Sequence, residues 1–91
     1  MFASVGHKAL TASGSVKASS GALVAVNICG AADAATVTIY DNTEGSGTVV
    51  AKLGVAANLS DSFCPAHPIV CAKGIYATIT GTTPNVQVAF I

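Results

Sequence analysis

The sequence predicts an all-β chain folded as an antiparallel β-sandwich, and three observations carry that expectation. Apolar residues recur at every second position in five segments, and no stretch shows the spacing of an amphipathic helix. Gly, Asn, Asp and Pro fall between those segments at short intervals, as strand-to-strand turns require. Thr, Val and Ile, which favour a pleated backbone, fill the segments themselves. Strands at this spacing imply about seven or eight short strands in two sheets, with jelly-roll-like and immunoglobulin-like connectivity both open.

Residues 1–9 precede the first strong strand and read equally as an extended N-terminal arm or a frayed end. Lys8–Ala12 and Ser15–Ala18 are short strand candidates around Gly14. In Ala22–Cys29 alternation places Val24, Val26 and Ile28 on one face and Leu23, Ala25 and Asn27 on the other. The Ala-rich Gly30–Ala35 has the length of one helical turn, too short for an independent helix. Thr36–Tyr40 sets Val37 and Ile39 against Thr36, Thr38 and Tyr40. Asn42–Gly47 then supplies a turn before Thr48–Leu53, where Val49, Ala51 and Leu53 oppose Val50 and Lys52. Gly54–Asn58 is a further turn, and Leu59–Phe63 and Ile69–Ala72 are short candidates. Ile75, Ala77 and Ile79 oppose Tyr76, Thr78 and Thr80, and after the Gly81–Asn85 turn Val86, Val88 and Phe90 oppose Gln87, Ala89 and Ile91. The apolar end at Phe90 and Ile91 fits either burial of the last strand in its own sheet or a subunit contact.

Composition narrows function. The 91 residues suffice for one domain, residues 1–91, and 52% are hydrophobic, which excludes a disordered chain. Only 9% are charged: Lys8, Lys17, Lys52 and Lys73 balance Asp33, Asp41, Glu44 and Asp61, with no Arg. No positive field exists for phosphate, so nucleic acid is not an expected partner. The surface of a soluble monomer carries about 25–35% charged residues, so the working form is expected to be an oligomer or part of an assembly. Met1–Leu10 lacks a basic segment followed by an apolar run, and the charge-free stretch between Lys17 and Asp33 is interrupted by Gly21, Asn27 and Gly30. A soluble chain with no membrane partner follows as an expectation. Cys29, Cys64 and Cys71 are odd in number, which favours synthesis in a reducing compartment over a disulfide framework.

The densest run of candidate ligands is Cys64-Pro65-Ala66-His67-Pro68-Ile69-Val70-Cys71, to which Cys29 or His7 would add a fourth if the fold brought one near. Paired close-spaced ligands are missing, and the prolines alone account for a rigid loop with idle thiols, so no metal residue is assigned. A Cys64–Cys71 disulfide is permitted by spacing, which fixes no geometry. Asp41-Asn42-Thr43-Glu44-Gly45-Ser46-Gly47 holds oxygens suited to calcium, yet lacks the spaced-ligand pattern and has the composition of a hairpin turn. His7 and His67 are possible proton acceptors, but no nucleophile elbow, phosphate loop or dinucleotide fingerprint occurs. No catalytic and no cofactor-binding residue is assigned, and the chain is expected not to be an enzyme. The dispersed lysines suit solubility or edge-strand protection.

The run Ala35-Thr36-Val37-Thr38-Ile39-Tyr40-Asp41-Asn42-Thr43, followed by Gly45-Ser46-Gly47-Thr48-Val49-Val50-Ala51, resembles the central hairpin of small β-sandwich virion proteins of tailed bacteriophages. Lys73-Gly74-Ile75-Tyr76-Ala77-Thr78-Ile79-Thr80-Gly81, with Asn85-Val86-Gln87-Val88-Ala89-Phe90 behind it, resembles their closing hairpin. The likeness covers most of the chain after Leu23 and rests on strand-and-turn style, with no active-site motif to carry over. It implies a non-enzymatic capsid decoration, or cement, protein made in the host cytoplasm. Such a protein would form trimers or dimers on the outer capsid surface and bind the major capsid protein. A head-fibre, tail or baseplate component shares every feature. A carbohydrate-binding module is the rival of a different class, with Tyr40 and Tyr76 as its platform.

Overall fold

The computed structural model describes residues 6–82 and 84–91. Nine strands follow in order: β1 (Gly6–Leu10), β2 (Gly14–Lys17), β3 (Gly21–Cys29), β4 (Ala35–Asp41), β5 (Thr48–Val55), β6 (Ser60–Phe63), β7 (Ile69–Cys71), β8 (Ile75–Thr80) and β9 (Asn85–Phe90). All pairings are antiparallel. One sheet, hereafter the β3 sheet, runs β1-β9-β3-β6 with β7 also on β3, and the other, the β4 sheet, runs β2-β8-β4-β5.

Strands β6 and β7 share one edge of β3: β6 pairs with Val26–Cys29 and β7 with Gly21–Leu23. They are one strand position interrupted by residues 64–68, where Pro65 and Pro68 supply no ladder N–H. Counting that position once leaves eight, four per sheet. Every connection crosses between sheets except the β4–β5 hairpin. This is jelly-roll connectivity, and it excludes the immunoglobulin-like alternative, whose first two strands pair within one sheet.

The core lies between the sheets. Leu23, Val26, Ile28, Val86 and Val88 project from the β3 sheet, and Val37, Ile39, Ile75 and Ala77 meet them from the β4 sheet. Each large side chain so buried is worth roughly 1.5–3 kcal/mol relative to exposure. No polar or charged residue is buried among the described residues. Outside the core, Asp33 accepts from the Thr82 N–H and hydroxyl, both at 3.0 Å, tying the loop before β4 to the one after β8.

Several sequence expectations are corrected. Alternation puts Val24 inward and Leu23 outward, but a register shift between Leu23 and Ala25 against β9 reverses the start of β3. Leu23 is therefore fully buried, and Val24 is half-buried and not packed against the core. A second shift at Ile39/Tyr40 leaves Val50 as the extra residue of β5, so Val50 turns to the core and Val49 is 51% exposed. Gly30–Ala35 forms no helical turn; Gly30 donates to the Leu59 carbonyl at 2.8 Å, and Ala35 already begins β4. Gly54 lies inside β5 rather than in a turn. The arm expected over residues 1–9 is half displaced, because Gly6–Leu10 pairs along its whole length with Val86–Phe90, while residues 1–5 lie outside the described residues. Phe90 packs against the core as the last strand is held between β1 and β3, while Ile91 stays 40% exposed.

Candidate functional site

The outer face of the β3 sheet is assembled from alternate residues of four strands. Its cross-strand rows are His7–Ala89–Ala25, then Ala9–Gln87–Asn27–Ser62, then Asn85–Cys29–Ser60. At the end nearer β7 a further row joins Val70 to Ala22 and Ala22 to Ile91, the last pair exchanging both backbone hydrogen bonds at 3.1 and 2.9 Å. Val70 is 76% exposed, the most open large apolar residue among the described ones. Amide and hydroxyl side chains therefore share the face with apolar ones, beside His7 and Cys29.

Among the described residues this face carries no Asp, Glu or Lys. The two charges on its edge strands have the opposite register: Lys8 pairs with the inward Val88, and Asp61 with the inward Ile28. Lys8 reaches across to donate to the Ser15 carbonyl at 2.7 Å, and Asp61 accepts from the Ser62 N–H at 2.8 Å. A charged ligand landing on the face would lose water without gaining a counter-ion.

A concavity of about 180 Å³ is sunk into this face. Ala25 and Ala89 help line it, small enough to leave the hollow, and His7, Asn27, Ser62, Cys64 and Gln87 supply its polar groups. Ligand and cofactor pockets run to about 300–1,000 Å³, so this one has room for a single projecting side chain. It offers two carboxamides that both donate and accept, a hydroxyl, an imidazole and a thiol.

The sequence-proposed ligands do not converge. Cys64 reaches the same hollow as His7, but His67 is exposed in the 64–68 loop and Cys71 is buried in the core. No group of three or more His, Cys, Asp or Glu side chains comes together among the described residues. All three cysteines are free thiols. Burial pushes the Cys71 thiol pKa up, and the nearby Asp41 charge adds to that, so it stays protonated.

The Asp41–Gly47 segment is turn chemistry. Asn42 donates from its carboxamide to the Ser46 carbonyl and accepts from the Thr43 N–H, both at 2.8 Å, and Gly47 takes φ +102°. The Asp41 carboxylate accepts from the Lys73 N–H at 2.9 Å, which pins the β7–β8 turn to the end of β4. That bond, first among its causes, holds the Asp41 carboxyl below the ordinary value of 3.8.

On the outer face of the β4 sheet, Thr36 stands opposite Thr80, Thr38 opposite Thr78, and Tyr40 opposite Tyr76. The two tyrosines proposed as a sugar platform are thus side by side. The hairpin after β4 folds over them, however: a Cβ on Gly45 would stand 3.3 Å from the Tyr76 ring and 2.8 Å from the Thr78 hydroxyl.

Sequence reasoning missed Asn27, Gln87 and Ser62 as a group. The available signal was negative, the want of charge at alternate positions of strands far apart in the chain, and only the strand order turns it into a surface. Comparison with protein-family profiles, curated proteins and solved structures finds no match to this chain.

Proposed function

We propose that this chain is a non-enzymatic structural protein of a bacteriophage particle, a capsid decoration (cement) protein that binds the major capsid protein on the outer shell as a homo-oligomer. The observation that carries this reading is the outer face of the β3 sheet, which carries no Asp, Glu or Lys among the described residues, with its one-side-chain hollow and the exposed Val70 and Ile91 beside it. Such a face suits shape-matched contact with a neutral protein surface and offers little to a metabolite or to phosphate. The jelly-roll connectivity adds an analogy only, since that fold recurs in capsid shells, lectins and cupins. Each contact is modest, and repetition over a symmetric lattice turns modest affinities into tight retention.

The test is rebinding of purified protein to particles that lack it, read by co-sedimentation. Asn27→Lys places an unpaired charge in the hollow and is expected to lower binding at least about tenfold, while Thr38→Lys on the opposite sheet leaves it unchanged. Particles without the protein are expected to assemble but to release DNA at a lower temperature. Equal release temperatures with and without it reject the cement role. Copy number separates the shell from the head-fibre, tail or baseplate alternative: on the order of hundreds for the shell, a dozen or fewer for the others. The carbohydrate-binding alternative rests on Tyr40 and Tyr76, and a glycan array without binding closes it.

A further inference from the structure

We infer that the hollow on the β3 sheet is a receptor for one phenol ring, the side chain of a tyrosine projecting from the partner protein. This rests on the proposed function, whose partner it describes, and it begins with size. The hollow measures about 180 Å³. An enclosed apolar cavity of about 150 Å³ admits benzene, so there is room here for one ring and one substituent.

Shape and polarity then narrow the class. Ala25 and Ala89 are cross-strand partners, and their methyls, side by side, leave a flat apolar floor. The hollow reaches down to Val26 and Phe63, which belong to the core or pack against it. His7 on β1 and Cys64 after β6 stand at its two ends. Along one flank runs the row Gln87–Asn27–Ser62. On the opposite flank lies the apolar row of Ile91, Ala22 and Val70. The site is therefore polar along one side only.

That polar side is unspent. Among the described residues the Gln87 carboxamide and the Ser62 hydroxyl make no hydrogen bond within the chain, and the Asn27 carboxamide has only the Cys29 thiol, at 4.0 Å. An aliphatic or phenyl side chain would strip water from these groups and return nothing. A phenol hydroxyl donates and accepts, as the carboxamides do, while its ring covers the alanine floor. A sugar carries hydroxyls all round its ring and would press several of them against the floor and the apolar flank. A cation entering the hollow meets no Asp or Glu, and a carboxylate meets no Lys, only the His7 imidazole. Tyrosine is also one of the residues that dominate the centres of protein interfaces.

Titration of the purified full chain with p-cresol, followed through its backbone and carboxamide N–H resonances, tests the site without particles. p-Cresol is expected to bind with a Kd on the order of 1 mM and to move the signals of Ala25, Asn27, Gln87 and Ala89. Toluene, which lacks the hydroxyl, is expected to bind about three- to tenfold more weakly, the loss of one hydrogen bond. Ala89→Leu fills the floor and is expected to weaken p-cresol binding at least about tenfold, with Ala25→Leu serving the same purpose should that variant not fold. Thr38→Leu on the opposite sheet leaves binding unchanged. No saturable shift with p-cresol, toluene binding as tightly as p-cresol, or p-toluate or glucose binding more tightly than p-cresol overturns the inference. Failure of particle rebinding while p-cresol still binds is a different result: it counts against the cement reading and leaves the phenol site standing.

Discussion

Replacing Leu23 and Val24 one at a time isolates the bulge that sets the faces of β3. Plain alternation makes Val24 the core residue, whereas the register shift buries Leu23 completely and leaves Val24 outside the core. Leu23→Ala removes three buried carbons and leaves a void between the sheets, a change that costs about 2–5 kcal/mol. Val24→Ala removes half-exposed methyls at a sheet surface and should cost about 1 kcal/mol or less. In a domain of this size the first lowers the melting temperature by roughly 10 °C or more and the second by a few degrees. Urea unfolding at one fixed protein concentration gives both differences free of any change in association. Should Leu23→Ala fail to fold, Leu23→Val supplies a milder version of the same comparison at about 1 kcal/mol. Equal costs at the two positions, or a larger cost at Val24, would refute the reversed register and with it the placing of Ala22 and Val70 on the outer face.

Three further outcomes follow from other parts of the molecule. Because the Asp41 carboxyl is depressed by the Lys73 N–H, its stabilising effect is complete above the ordinary carboxylate value of 3.8 and is lost as pH falls through the lower folded value. Urea midpoints of Asp41→Asn compared with the parent should therefore differ at neutral pH and converge in acid. Gly74→Ala forces a Cβ to 2.8 Å from the Lys17 carbonyl and 3.0 Å from that of Asn42, and is expected to destabilise by about 1–3 kcal/mol in the same unfolding assay. Alkylation followed by intact mass should add label to Cys29 and Cys64 in the native protein and to Cys71 only after unfolding, since Cys71 is buried and protonated.

The fold was largely legible because a half-buried strand writes its two faces into the chain at period two. Val37 with Ile39, Ile75 with Ala77, and Val86 with Val88 all lie inward as their spacing predicts. What alternation cannot reveal is a bulge, which advances the count by one residue and so turned Leu23 and Val50 inward. The choice between connectivities depended on which distant strands pair, and no local pattern in Ala22–Cys29 says that Asn85–Phe90 lies beside it. The candidate face was illegible for the same reason. Asn27, Ser62 and Gln87 are ordinary outward residues taken singly, and they become one neutral surface only when β9, β3 and β6 stand side by side. The cysteine and histidine run misled in the opposite sense, because sequence neighbours at a strand end diverge: Cys71 enters the core while His67 stays in the loop.

The interruption of one strand position at residues 64–68 gives the molecule a natural insertion point. Both flanking pieces are held separately on β3, so a guest peptide placed after Ala66 would not need to satisfy hairpin geometry. Lengthening such a loop costs only about 0.6 kcal/mol per doubling. Epitopes or fluorescent tags grafted there would follow two residues after Cys64, which helps line the hollow, and so report on whether that side of the molecule is occupied.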